Sequence, residues 1–471
     1  MKNLNDMGTE KLSRLIMRLS LPAICGMLVN LLYNIVDRIF VGALNSDALA
    51  AITAVAPYMT LLSGFAVLVG TGAAALISIK LGEKKPKIAE KILATSLPLL
   101  LILSAIIMIP SFGLQDFILS LSGSKKLNPE TIAYAKDYLF VIILGVPFQL
   151  ISLGMDQNMR AEGNAKAAML AMICGAVTNI VLDPLFIFTF GLGTRGAAIA
   201  TVLGQMVTSG YIFWFYFGGH SHLPLDIRNV HFACSARILK LGMPQFLIQL
   251  ASAAIMLVYN FSLTWYGAQL DPVNGPKIAL AALGIIMSVS QIVMMPLNGL
   301  SQGFQPIVGY NYGAKQYMRV KKTYLLAVLY GSLWMFLGFL AAELFPRQIL
   351  MIFNREDQVL LDFGSQALRI ISLFLPLIAF QTLSSNYFLA VERPGASIFL
   401  SVSRQGFLFI PLILLLPVLL PDSLKLYGVI WASPVADVIS AIIAAIYFIF
   451  EFRRLNRLQK EHDEKLLIAE E

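Results

Sequence analysis

Long apolar runs dominate this chain. Between Leu426 and Phe450 only Asp437 is charged, and between Leu15 and Phe40 only Arg18, Asp37 and Arg38 are. An α-helix needs roughly 20 apolar residues to cross a hydrocarbon core about 30 Å thick. Charged residues make up 13% of the 471 positions and hydrophobic ones 58%, with a mean hydropathy of +0.75. A soluble domain carries about a quarter charged residues and could not cover so much apolar surface. Lipid is therefore the solvent, and the chain reads as an all-α membrane protein. The first run is longer than the apolar core of a signal peptide and lacks a small-residue cleavage pattern, so it is expected to remain as a span.

Twelve spans are predicted, over 15–41, 49–79, 91–112, 134–157, 165–190, 195–217, 238–266, 278–310, 323–345, 365–390, 396–419 and 426–450. The second and eighth exceed what a bilayer requires, which predicts tilt or extension beyond it. Residues 1–217 form a first bundle, 218–237 a polar linker, 238–450 a second bundle and 451–471 a charged tail. Lys and Arg outnumber Asp and Glu, 35 to 27, but placement explains this better than nucleic acid does. With both termini in the cytoplasm, 25 of the 35 basic residues are assigned to that side, Arg393 and Arg404 among them. This is the positive-inside bias of a multi-pass protein of the cell membrane.

The two bundles repeat one another. Leu19-Ser-Leu-Pro22 matches Leu241-Gly-Met-Pro244 at an offset of 222, and Gly72 matches Gly303 at 231. Pro147 matches Pro376 at 229, and Gly196 matches Gly428 at 232. Six spans per repeat is an even number, so the halves share an orientation, and a substrate site between them is the default expectation. Prolines inside spans, including Pro22, Pro57, Pro244, Pro296, Pro376 and Pro411, suit either bendable helices or fixed kinks.

Carboxylates inside a span cost roughly 2.5–3.5 kcal/mol on insertion scales, so they face a cavity or a partner. In the first span Asn30, Tyr33, Asn34 and Asp37 follow one helical face. In the fifth, Asn179 and Asp183 are one turn apart; in the sixth, Thr201, Gln205 and Thr208 form a third polar stripe. If these faces converge, two carboxylates share a poorly wetted pocket, where burial and mutual repulsion let one hold a proton at neutral pH and release it when water enters. The competing readings are an Asp37–Arg38 ion pair or exposure near the outer surface, and, for Asp183, a helix-end role before Pro184. The second half carries amides and sulfur instead: Gln245, Gln249 and Ser252, then Met287, Gln291, Met294, Met295, Asn298, Gln302 and Gln305. Methionine suits a surface that accepts varied apolar partners. The substrate-cavity residues are taken to be Asn30, Asn34, Gln205, Gln245, Gln249, Met287, Gln291 and Met294. Asp156 precedes Arg160 by one turn and should pair with it; Asp437 also lies inside an apolar run.

Cys25 and Cys174 fall in spans and Cys234 in the linker, so no disulfide framework is expected. His220, His222 and His231 read as loop residues, not a metal site. Nucleotide-binding, zinc and nucleophile-elbow patterns are absent. No catalytic residue, metal or cofactor is expected, and no nucleic-acid partner.

The motifs Tyr33-Asn-Ile-Val-Asp37-Arg-Ile-Phe-Val-Gly42, Asn179-Ile-Val-Leu-Asp183-Pro and Gly196-Ala-Ala-Ile-Ala-Thr201 resemble those of the multidrug and toxic compound extrusion (MATE) family, over essentially the whole chain. The resemblance implies twelve helices in two pseudo-symmetric six-helix bundles arranged as a V around a central cavity. It implies an antiporter, expected as a monomer in the bilayer, that exports amphipathic, often cationic drugs by alternating access in exchange for H⁺ or Na⁺. The family's amino-lobe ion site maps onto Tyr33, Asp37, Asn179, Asp183 and Thr201. Some members also use acids in the seventh and tenth spans; here the seventh span has none and the tenth none in its interior, which favours coupling through the amino lobe, by protons first. Two other readings are a flippase for a lipid-linked cell-envelope precursor, which needs a wide cationic cavity, and a scaffold or channel without coupled transport.

Overall fold

The computed structural model describes residues 2–121, 128–268, 275–355, 357–421 and 424–470. Among them, eleven helices are long and apolar enough to cross a membrane. A twelfth crossing is made by the pair Gln358–Ser372 and Leu375–Ala390, bent by 45°. The tenth span thus starts earlier than its apolar run suggested and breaks at Leu373–Phe374, ahead of Pro376, which takes a place in the first turn of the second piece, where its missing N–H costs nothing. The second and eighth spans, Asp47–Gly82 and Gly275–Gly313, run 36 and 39 residues, more than 50 Å each at about 1.5 Å per residue. The charged tail continues the last span as one helix, Lys425–Glu470.

The repeat is visible in the turns. Spans two and eight end on Lys84 (φ 57°) and Lys315 (φ 58°), offset by 231; spans four and ten end on Gly163 (φ 85°) and Glu392 (φ 59°), offset by 229. Each left-handed residue closes a helix by turning the next N–H back to an orphan carbonyl. Asn164 N reaches Met159 O at 3.0 Å, and Arg393 N reaches Phe388 O at 2.8 Å.

By its contacts the chain divides into two units, Met1–Phe246 with Gln305–Ala314, and Leu247–Phe304 with Lys315–Glu471. The first is held at its second span by glycines. A Cβ on Gly72 would lie 2.0 Å from Ile238 O, and one on Gly242 would lie 1.6 Å from Leu68 O. At the far end of the same span a Cβ on Gly82 would meet Tyr310 O at 1.9 Å, and one on Gly313 would meet Ile79 O at 2.1 Å. Helices touch here backbone to backbone, the small-residue packing that lipid favours because apolar side chains gain nothing by leaving it.

The linker is fastened to this unit by Glu162, on the turn after the fourth span. Its side chain is fully buried. Ser221 Oγ donates to its Oε2 at 2.5 Å, and Asn164 Nδ2 donates to the same oxygen at 3.5 Å. Beside it the Asp156–Arg160 pair neutralises itself, Nε to Oδ2 at 2.9 Å, as its spacing predicts. Burial pushes the His222 imidazole down, so it brings no cation. Burial likewise pushes the Glu162 carboxyl up to about 8. The folded protein therefore keeps a proton that the unfolded chain releases above about pH 4.5, and stability falls as pH rises from there to about 8. Glu162→Gln should remove that dependence, melting about 3 °C or more above the wild type at pH 9 and close to it at pH 5. Thermal scans in detergent at both pH values check this.

The second unit is built on an apolar core that includes Tyr259, Ile286, Phe363, Leu368 and Val429. Towards the end of its last span, Phe448 stacks on Tyr324 with ring centroids 4.0 Å apart. One turn on, Glu451, fully buried, takes Arg393 Nη1 at 2.5 Å and the Tyr387 hydroxyl at 3.2 Å. Arg393 is thus a loop charge that also clamps the last helix. Arg404, assigned above with the cytoplasmic charges, lies inside the eleventh span, Pro394–Leu419.

Candidate functional site

Within the first unit the three polar stripes do converge, and small residues bring them together. Gly175 and Gly204 sit face to face: a Cβ on the former would lie 2.0 Å from Thr208 Oγ1 and 2.7 Å from Gly204 O, and one on the latter 2.8 Å from Gly175 O. That approach of the fifth and sixth spans presses Asn179 against Thr201. Gly26 lets the first span close on Met172 of the fifth, 3.1 Å from where its Cβ would be. Gly196 has no room for a side chain either, because Phe186 O lies 2.7 Å away. Phe186 belongs to a π-helical turn, Leu185–Thr189, that directly follows Asp183 and Pro184. Such turns cluster at functional sites.

At the centre Asn179 Nδ2 donates to Asp183 Oδ1 at 3.3 Å and to Thr201 Oγ1 at 3.5 Å. Asp37 is 8% exposed, Asn179 2% and Asp183 0%. Each carboxylate lies within range of the other's charge. Tyr33 engages the Asn30 and Asn34 side chains and feels both aspartates; Asn34 Nδ2 also donates to Asn30 Oδ1 at 3.0 Å. Arg38 is exposed and forms no ion pair with Asp37 among the described residues, though its charge still reaches that carboxylate. Asp183 does stand at the end of its α-helix, Ala165–Pro184, and there its side chain is fully buried against Asn179. Among the described residues, Asp37 Oδ1, Asn179 Oδ1 and Asp183 Oδ2 are buried and receive no hydrogen bond. Three buried lone-pair-bearing oxygens are thus left without a donor, an arrangement that a proton, a cation or a water's O–H satisfies.

One residue of this site escaped the sequence reading. Tyr138 of the fourth span is buried, donates its hydroxyl to Met59 Sδ at 3.9 Å, and lies near Thr201, Asp37, Tyr33 and Asp183. It was legible in principle: Tyr138, Gln149, Ser152 and Asp156 fall on one helical face and all are buried. The eight residues assigned to a substrate cavity fall in both units: Asn30, Asn34, Gln205 and Gln245 in the first, Gln249, Met287, Gln291 and Met294 in the second. All are at least partly exposed.

The sequence pattern of the MatE family matches residues 22–185 and 250–415. The chain is 27% identical over 446 residues to the multidrug export protein MepA of Staphylococcus haemolyticus (strain JCSC1435), covering 94% of each chain. It superposes on the outward-facing structure of a multidrug resistance MATE family transporter of the MOP superfamily with a TM-score of 0.87 at 26% identity, covering 98% of this chain and 99% of that one. A crystal structure of MATE in the bent conformation gives 0.88 at 26% identity, with the same coverage. The polar stripes on spans one, five and six, the repeated turns and the twelve crossings thus have one common explanation: the chain belongs to the MatE family of multi-pass membrane transporters.

Proposed function

We propose that this chain is an ion-driven exporter of amphipathic, often cationic drugs, working by alternating access in the cytoplasmic membrane with both termini inside. The three buried acceptor oxygens of Asp37, Asn179 and Asp183 carry the reading. A pocket with two carboxylates and no paired cation holds a proton tightly while dry and loses it once water enters. Occupancy therefore differs between conformations, and that difference in binding energy is what coupling requires. H⁺ is the coupling ion that an acceptor-only pocket takes most simply. Na⁺ is the second reading, favoured by the neutral oxygens of Asn179 and Thr201 beside the carboxylates. The export activity of the relatives named above supports the substrate class. Arg160, which is buried, and Arg404, which is partly exposed, are each tied to an aspartate. That leaves no concentrated positive charge for a lipid-linked pyrophosphate, so the flippase reading is set aside.

Counterflow in proteoliposomes separates the possibilities. With a pH gradient alone, ethidium should accumulate against its gradient; a Na⁺ gradient alone should do so only if the second reading holds. Movement that ignores both gradients would sink the coupled mechanism and return the chain to the channel reading.

A further inference from the structure

The second unit carries an intramembrane charge pair that the ion-coupling site does not use. Arg404 stands about 15 Å along the eleventh span from Pro394, at 1.5 Å per residue, within a π-helical segment, Ser403–Phe409. Its Nε donates to Asp437 Oδ1 of the last span at 2.7 Å. The Asp437 side chain is fully buried, and that of Arg404 is 21% exposed. Only Nε is used. Among the described residues Nη1 and Nη2 find no acceptor, and neither belongs to the buried, unpartnered atoms. The pair is therefore asymmetric: a sealed carboxylate fixes a guanidinium whose terminal fork stays accessible.

Hydrocarbon does not tolerate such a fork. An arginine facing acyl chains carries its head to the interface, and one held at mid-span faces water or a polar ligand. Arg404 is bent inward onto Asp437 instead of outward along its stem. An anchored, planar pair of terminal nitrogens matches the two oxygens of a carboxylate, a fit that a lysine's point charge does not reproduce. Beside it Asp437 Oδ2 and Gln405 Oε1 are buried acceptors that receive no hydrogen bond among the described residues, but the Asp437 charge is already matched by Arg404. Ser440 Oγ is spent on the Asp437 carbonyl at 3.0 Å.

We propose that Arg404, oriented by Asp437, is the recognition point in the second unit for the carboxylate of zwitterionic amphipathic substrates. This rests on the exporter reading for its substrate class but concerns a different residue pair from the one that holds the ion. Asp437 is a positioning residue: it holds the fork and does not meet the ligand. The chain then offers lone pairs to cations in one unit and N–H donors to anions in the other, which widens the charge types it accepts.

Rhodamine 110, which bears a free carboxylate, and rhodamine 123, its methyl ester, isolate that group. Binding to purified protein is read by fluorescence polarisation, so the result does not depend on transport. The wild type should bind the acid at least tenfold more tightly than the ester. Arg404→Gln combined with Asp437→Asn, which removes both charges and strands neither, should bring the ratio to about one, as should Arg404→Lys. A tenfold preference that survives the double change in protein with an unaltered melting profile would overturn the assignment, as would a wild type that binds both dyes equally. Ethidium export by the wild type is scored separately and bears on the exporter reading alone.

Discussion

Asp37→Asn and Asp183→Asn should each abolish gradient-driven ethidium export, by a factor of ten or more, while leaving insertion and yield intact. An amide has the size of the carboxylate but supplies two N–H donors. It can satisfy the buried, partnerless oxygens of Asn179 and the remaining aspartate without ever exchanging a proton. The variants should therefore fold as well as the wild type and lose only the energetic link between ion and drug. That link is worth 1–3 kcal/mol in typical coupled systems, or about 5–150-fold in affinity. Efflux from cells or proteoliposomes, normalised to protein in the membrane, reads it. Tyr138→Phe, which keeps the ring and removes the hydroxyl that lies near Thr201 and both aspartates, should cost several-fold. Export unimpaired in both aspartate variants would remove the ion site from the first unit.

The second large effect is structural. Gly242→Leu should leave little monodisperse protein after detergent extraction, because even its Cβ would lie 1.6 Å from Leu68 O. No rotamer relieves a clash with backbone. The two helices must part by more than 1 Å, and the loss of a tight interface puts the cost at several kcal/mol. Gly113→Leu is the matched control: nothing lies within 4 Å of its Cβ, so yield and melting should stay near the wild type. Yield by fluorescence-detected size exclusion checks both, and a Gly242→Leu profile matching that of the control would contradict the packing described.

Much of this was legible before any coordinates. The apolar runs, the repeat and the stripes on spans one, five and six needed only helical periodicity and the cost of charge in lipid. Asp156–Arg160 followed from i, i+4 spacing. Tyr138 was missed because its polar partners begin three turns further along the same span, with Ile142 and Gly145 between them. The break in the tenth span was missed because Leu373 and Phe374 are as apolar as their neighbours. Arg404 was assigned with the loop charges because a basic residue near a span's start reads as an orientation signal. The π turn it sits in also shifts the helical register by a residue, so no 3.6-residue pattern aligns it with Asp437.

Sequence alone determined the solvent, the secondary structure, the two-fold repetition and which faces of single helices are polar, because each of these depends on residues within a few turns of one another. Tertiary structure decided which polar faces meet. In lipid no hydrophobic force selects a partner helix, so the choice falls to a few glycines such as Gly175, Gly204 and Gly242, whose fit depends on backbone far away in the chain. Whether an aspartate ends among other acceptors, as Asp183 does, or against an arginine, as Asp437 does, is set by those contacts and not by its own neighbours.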